Sequence, residues 1–366
     1  MKRLLNTLYI LSEDVYLTLD GENVVAKCGE RITARYPLHT LQSIIDFSYM
    51  GASPALLGKC ADMGVAFTFC SPRGRFLARV TGEANLPAFY QLICRRRRFL
   101  ARVTGEANGN VLLRRKQYRV ADDEENSCLI AKNMIFGKLY NSKQSIERTR
   151  RDHALRVDCE ALASVSQLTA GLLPLVQKET RLDGLRGLEG VAANAYFSIF
   201  NELILNSKEL FRFTVRSRRP PLDAVNALLS LAYSTLALDC ASALESVGLD
   251  SYVGFLHRDR PGRTSLALDL MEELRPCMAD RFVLTCINNR MFDRNDFDFR
   301  ESGAVLLKDD SRRRFYRAWQ ERKKDELKHP YLGEKLQWGM IPYVQALLLA
   351  RYLRGDLDAY PPFLWK

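Results

Sequence analysis

The sequence predicts an α+β protein in two parts, a β-rich, sandwich-like N-terminal domain followed by a larger all-α domain, and three observations carry that prediction. Short runs rich in β-branched and aromatic residues fill the first 80 or so positions. From about Leu129 onward apolar residues recur at three- and four-residue spacings instead. Between the two patterns lies the acidic, polar patch "ADDEENS" at 121–127, which has the composition of a linker. The division is therefore a β-rich domain over 1–120, a linker over 121–127 and a helical domain over 128–366. A chain of 366 residues has room for two cores of ordinary size.

The elements follow in order. "TLYIL", "VYLTL", "VVAKC" and "RITARY" read as strands, with Asp20-Gly21 as a two-residue hairpin signal between the second and third. "SIIDFSY" and "VAFTFC" read as further strands flanking "SPALLGKCADMG", a short helix closing on Gly64. In the second part the stretch from Leu129, and later ones around 190–205, 223–247 and 344–353, have helical periodicity. The longest apolar candidate for a membrane span, "IPYVQALLLARYL", is broken by Gln345 and Arg351, so no span is expected.

Lys and Arg outnumber Asp and Glu by 54 to 43, a net charge of +11 that attracts polyanions such as DNA or RNA but fixes no chemistry. Nine scattered cysteines, odd in number and without a C-x-x-C pair, argue against a disulfide framework or a zinc cage and fit a reducing cytoplasm. One feature is unusual. The eleven residues "RFLARVTGEAN" at 75–85 return unchanged at 98–108, with "LPAFYQLICRRR" between them. A single copy would form an edge or final strand leading into the helical part, and two copies cannot fill one strand slot. The segment 75–108 is read either as a recent tandem duplication whose extra copy is a tolerated surface loop, or as a basic insertion that touches nucleic acid.

Of four histidines only His257 has suggestive company. In "SYVGFLHRDRPGRTSLALDLMEELRP" an apolar lead ends at the imidazole, a basic Gly/Pro loop follows, and a helix begins at Thr264 or Ser265. Asp269, Glu272 and Glu273 then lie three and four residues apart, on one helix face. Spacing alone is also that of a solvated acidic face. Arg258, Arg260 and Arg263 beside a His and several carboxylates add phosphate ligands to a hard-metal donor set suited to Mg²⁺ or Mn²⁺. A further carboxylate is offered by Glu189, between Gly187 and Gly190 at what reads as a helix start.

"LEGVAANAYF", "RSRRPPLDAVNALLSLAYSTL" and "YVGFLH" with "SLALDLMEELRP", in this order, resemble the Cas-one family, the CRISPR-associated nuclease and integrase of spacer acquisition. The ending "LQWGMIPYVQALLLARYLRGDLDAYPPFLW" is similar to its type I-C branch. The resemblance implies a metal held by Glu189, His257 and Glu272, with Asp269 as a second acid; helical spacing alone does not rank Glu272 over Glu273. It implies phosphoryl transfer on DNA, in which the 3′-hydroxyl of a short captured prespacer duplex attacks a phosphodiester at the leader and repeat junction of the array. It also implies a homodimer paired across the β-rich domains and a small ferredoxin-like adaptation subunit as partner. A DNA track is expected along Arg216, Arg218, Arg219, Arg258, Arg260, Arg263 and the basic run 311–324, whose Phe315, Tyr316 and Trp319 either stack on a splayed end or pack inward. Asn226 reads equally as a buried amide or a site residue. The competing readings are a non-catalytic DNA-binding subunit and a general branched-DNA repair nuclease.

Overall fold

A computed structural model describes residues 6–72, 76–81, 102–104, 110–217 and 220–365. The N-terminal part has two sheets. One is five-stranded, in the order β1 (Asn6–Ile10), β5 (Leu41–Asp46), β6 (Ala66–Cys70), β7 (Phe76–Thr81) and β8 (Arg102–Thr104). The other is an antiparallel meander of β2 (Val15–Asp20), β3 (Asn23–Cys28) and β4 (Arg31–Pro37). The β2–β3 hairpin turns at Gly21 and Glu22, one residue later than the Asp-Gly signal suggests, because Asp20 still pairs with Asn23 and Gly21 takes the left-handed φ of 58°. Inward residues of both sheets, Leu17, Val24, Ile44 and Phe67, close on Leu56 and Cys60 of helix α1 (Pro54–Asp62) as one small core.

The duplicated stretch occupies two strands, insofar as it is described. β7 belongs to the first copy and β8 to the second, and they pair in parallel with like on like: Arg79 with Arg102, Val80 with Val103, Thr81 with Thr104. Three residues of the second copy thus extend the sheet by an edge strand, which the surface-loop reading did not anticipate; the rest of 82–109 lies outside the described residues. Arg79 of the first copy ties the sheet to the helical part, pairing with Glu245 at 2.8 Å while almost fully buried. A stack of Tyr9 on Tyr316, with ring centroids 4.7 Å apart, makes a second tie.

The second part is helical: α2 (Val111–Ala121), α3 (Glu124–Asp152), α4 (Cys159–Lys178), α5 (Leu182–Ser198), α6 (Ala224–Ser246), α7 (Ser265–Leu274), α8 (Arg281–Asn288), α9 (Asp309–Lys324) and α10 (Ile341–Arg354). Two hairpins of three-residue strands, β9 (Phe297–Phe299) with β10 (Val305–Leu307) and β11 (Glu326–Lys328) with β12 (Lys335–Gln337), interrupt the helices. The acidic patch at 121–127 is the junction of two helices. Asp122 ends α2, and Asp123 caps α3 by accepting the Asn126 N–H at 3.2 Å. Its composition, rich in side chains that favour caps, is the same in a linker and in an abutting pair of helix ends.

α4 and α6 are long and apolar enough to cross a bilayer by length and composition, although the sequence reading singled out neither. α6 has a different use here, with Leu228, Leu229, Ala232, Leu236 and Cys240 buried in the main core. α3, about 44 Å long at 1.5 Å per residue, packs against α4, α5 and α7, and so forms the spine on which the site is built.

Candidate active site

The residues of α7 divide by direction. Successive helical residues turn by about 100°, so Glu272 and Glu273 point in different directions even though each lies on the same broad stripe as Asp269. All three are buried, and each meets a different environment.

Asp269 faces the loop 251–263, which is irregular. Its Oδ2 accepts the Phe255 and Leu256 backbone N–H groups at 2.6 and 2.9 Å. Its Oδ1 accepts the His257 backbone N–H at 3.0 Å and meets the ring Nδ1 at 2.5 Å. The loop can come this close because residue 254 is glycine; a Cβ there would stand 2.7 Å from Asp269 Oδ2. Both oxygens of Asp269 are thus engaged, by the loop backbone and by the His257 ring. Nδ1 tied to a carboxylate leaves Nε2 as the outward nitrogen, and it lies 3.8 Å from Glu272 Oε1.

Glu272 is surrounded by cations. Arg275 reaches Oε1 at 2.9 Å, and Lys138 of α3 reaches Oε2 at 2.7 Å as an ion pair without a well-directed hydrogen bond. Burial pushes the carboxyl up, but Arg275, Lys138 and His257 outweigh it and hold it down to about 2. Glu273 points to the opposite side. Burial raises it to about 7, against hydrogen bonds from Tyr360, from Gln345 at 3.0 Å and from the Phe363 N–H at 2.9 Å. The structure thus ranks the two glutamates that spacing alone leaves equal: Glu272 faces His257, and Glu273 faces the segment 360–365.

Glu189 is on α5, in its eighth position and not at the helix start. It reaches the others through Lys138, whose ammonium pairs with Glu189 and Glu272 together. Gly187 and Gly190 have open space beside them, so no close backbone approach explains these glycines. Among the described residues no three His, Cys, Asp or Glu side chains stand close enough to hold one ion at once. The donor chemistry nonetheless fits a hard divalent cation: two carboxylates, one of them held ionised with a buried oxygen lacking a directed hydrogen bond, and an imidazole fixed by a carboxylate behind it.

The other expectations resolve unevenly. Arg258 and Arg260 are exposed on the loop after His257, and Arg258 lies 3.5 Å from Asp183; Arg263 is half-buried at the foot of that loop. Arg218 and Arg219 lie outside the described residues. Arg216 is no part of an open track: it lies over the Tyr233 ring and bonds Asn226 Oδ1 at 2.6 Å. Asn226 is fully buried and also donates to the Val215 carbonyl at 2.8 Å, which makes it a structural amide. In α9, Phe315, Tyr316 and Trp319 pack inward and cannot stack on DNA, since every third or fourth residue of that helix faces the core.

Sequence reasoning missed Lys138 and Arg275. Both carried a signal: Lys138 interrupts the stripe formed by Ala131, Met134, Ile135 and Ser142, and Arg275 follows Glu272 by three residues.

The family description "CRISPR associated protein Cas1" matches residues 8–92 and 90–321. The chain belongs to the Cas1 family. The two matches meet at 90–92, inside the duplicated segment. A "CRISPR-associated endonuclease Cas1 1" of Chlorobaculum tepidum is 44% identical over 366 residues, covering 100% of both chains. Among solved structures, a casposase bound to integration product shares the fold with a TM-score of 0.78 at 22% identity, covering 99% of this chain and 94% of the other. A Cas6-RT-Cas1–Cas2 complex does so with a TM-score of 0.75 at 22% identity, over 99% of this chain and 36% of that one. The two-part architecture, a β-rich region before a larger helical one, is shared with such Cas1 neighbours.

Proposed function

We propose that this Cas1 chain is a divalent-metal-dependent DNA endonuclease and integrase of CRISPR spacer acquisition, of the type I-C-like branch, joining 3′-hydroxyl ends of short captured DNA into the array by transesterification. The observation that carries the reading is the Asp269–His257 pair aiming an imidazole nitrogen at Glu272, with Glu189 linked to the same carboxylate through Lys138. The naming of the full-length relative as an endonuclease supports it.

Glu189, His257 and Glu272 would hold a Mg²⁺ or Mn²⁺ ion, which when bound activates a hydroxyl and stabilises charge on the phosphoryl oxygens. The chain's own groups prepare that site. Asp269 fixes the ring orientation of His257 and the backbone of the loop that carries it. Arg275 keeps Glu272 in place and ionised. Arg258 and Arg260, exposed one and three residues past His257, would catch the phosphodiester backbone, with Arg263 in the same loop; Arg218 and Arg219, outside the described residues, are assigned to DNA on the sequence pattern alone. The proposal includes a homodimer and a small ferredoxin-like subunit, as the family resemblance implies; the solved complex with Cas2 is of a chain sharing this fold.

The test is strand transfer of a short 3′-hydroxyl duplex into a supercoiled plasmid bearing a leader and repeat, with the adaptation subunit, in Mn²⁺, Mg²⁺ or EDTA. Joining should need the metal and vanish in Glu189→Ala and His257→Ala, while DNA affinity stays within about threefold, because most of that affinity comes from phosphate contacts. A folded wild-type protein that binds DNA and joins nothing in either metal would instead be a binding subunit.

A further inference from the structure

Lys138 is placed where the proposed metal ligands converge. Its ammonium contacts Glu189 and lies 2.7 Å from Glu272 Oε2, with the lysine side chain 13% exposed and that of Glu272 4%. Two carboxylates brought together repel one another, and the ammonium stands between them, with Glu272 buried and Glu189 28% exposed. The helix bearing Lys138 is fixed. Gly137 sits so close to α7 that a Cβ would meet Glu273 Cβ at 2.9 Å, and Asn141 donates to the Glu273 and Phe363 carbonyls at 2.7 and 2.8 Å. Any movement of the ammonium is therefore movement of the flexible side chain alone. It has somewhere to go. A small cavity beside the ion pairs is lined by Lys138, Ala192, Tyr196, Tyr233, Arg275 and Asp280. At Asp280 it offers another carboxyl, bonded to the Tyr233 hydroxyl at 2.6 Å.

We propose that Lys138 is a resident counter-cation of the metal site: it holds Glu189 and Glu272 together before a divalent ion binds, and it is the group that the ion displaces. This rests on the metal-dependent reading of the site. An ammonium and a divalent ion sharing the same carboxylate oxygens repel strongly at contact distance, so Lys138 lowers the metal affinity of the free protein while keeping its site assembled.

The experiment is calorimetric titration of Mn²⁺ into the full-length, EDTA-stripped protein, with melting curves in EDTA and in Mn²⁺. Lys138→Met should bind Mn²⁺ at least about tenfold more tightly than wild type. It should melt at a lower temperature in EDTA and gain more from added Mn²⁺. Lys138→Arg, which keeps the charge, should stay near wild-type affinity. If near-UV circular dichroism shows Lys138→Met unfolded in EDTA, Lys138→Gln carries the same titration and the same expectation. Equal or weaker Mn²⁺ binding by the neutral variants, or tight binding by Lys138→Arg, overturns the proposal. Absence of Mn²⁺ uptake by wild type and by Lys138→Met and Lys138→Gln alike overturns the metal reading itself, so the two failures are distinguishable.

Discussion

Replacing Asp269 by Asn tests the site at the joint between fold and chemistry. The carboxylate receives four N–H groups, three from the backbone of residues 255–257 and one from the imidazole. An amide has one accepting oxygen, so it must choose. If that oxygen stays toward His257, the NH₂ group faces the Phe255 and Leu256 N–H groups, and two buried donors lose their acceptor at about 1–3 kcal/mol each. If the amide flips, one donor, the His257 N–H, is lost, and the NH₂ group donates to Nδ1. The flip is cheaper, about 1–3 kcal/mol, and it forces the imidazole into the tautomer whose Nε2 bears the proton and faces Glu272. Asp269→Asn should therefore melt a few degrees lower than wild type. Its His257 should show the reversed tautomer by nitrogen-resolved NMR, and Mn²⁺ affinity should fall about 10- to 100-fold, the usual effect of losing the carboxylate behind a ligating histidine. Unchanged stability with an unchanged tautomer would refute the assignment of Asp269 as the orienting group.

Two predictions concern the supporting structure. Asp46 is fully buried with Oδ1 bonded to the Ser48 N–H at 2.9 Å and Oδ2 unpartnered; burial raises its carboxyl from 3.8 to about 6. A raised acid stabilises the fold below its unfolded pKa and loses that contribution as pH rises through the folded one, so Asp46→Asn should match wild type near pH 4 and exceed it by up to about 3 kcal/mol at pH 7.5 in denaturant titrations; equal stabilities at both pH values would count against the shift. Gly137→Ala places a methyl 2.9 Å from Glu273 Cβ and 3.2 Å from Pro362 Cβ, and overpacking of about 1–3 kcal/mol should outweigh the roughly 1 kcal/mol of improved helix propensity. The control is Gly187→Ala on α5, which meets nothing within 4 Å and should raise the melting temperature.

Much of the fold was legible because it depends on local patterns. Alternation gave β1 to β6, three- and four-residue periodicity gave α3, α6, α10 and the later part of α5 but not the 20-residue α4, and Gly64 closed α1 where a left-handed residue was needed. What local patterns cannot carry is direction in space. Nothing in "LDLMEE" says that Glu272 meets Lys138 while Glu273 meets a hydroxyl and an amide, since those partners come from α3 and from residues 345–363; only Arg275, three residues past Glu272, is local. Glu189 read as a helix start because flanking glycines suggest an end, yet α5 runs through them. The aromatics of α9 fit two uses on paper, and only the position of Tyr9 and Phe282 against them decides for the core. The pairing of like residues in β7 and β8 is a tertiary result that the duplicated letters permit without requiring.

The opposite environments of Glu272 and Glu273 imply that the segment 360–365 supports the site through Glu273 and Asn141, without a hydrogen bond or ion pair to the proposed ligands among the described residues. Glu273 is held there by Tyr360, Gln345 and the Phe363 N–H, while Asn141 of α3 bonds both the Glu273 and Phe363 carbonyls and accepts the Trp365 N–H at 2.8 Å. α7 is thus clamped on one side by that segment and on the other by Lys138, with three residues of α3, Gly137, Lys138 and Asn141, supplying the close contact, the cation and the amide. A helix clamped at Glu273 cannot rotate, and rotation by one residue would swap an ionised carboxylate for one raised to about 7. The buried network behind α7 therefore fixes which glutamate faces His257, and loosening it should disturb the site before it unfolds the protein.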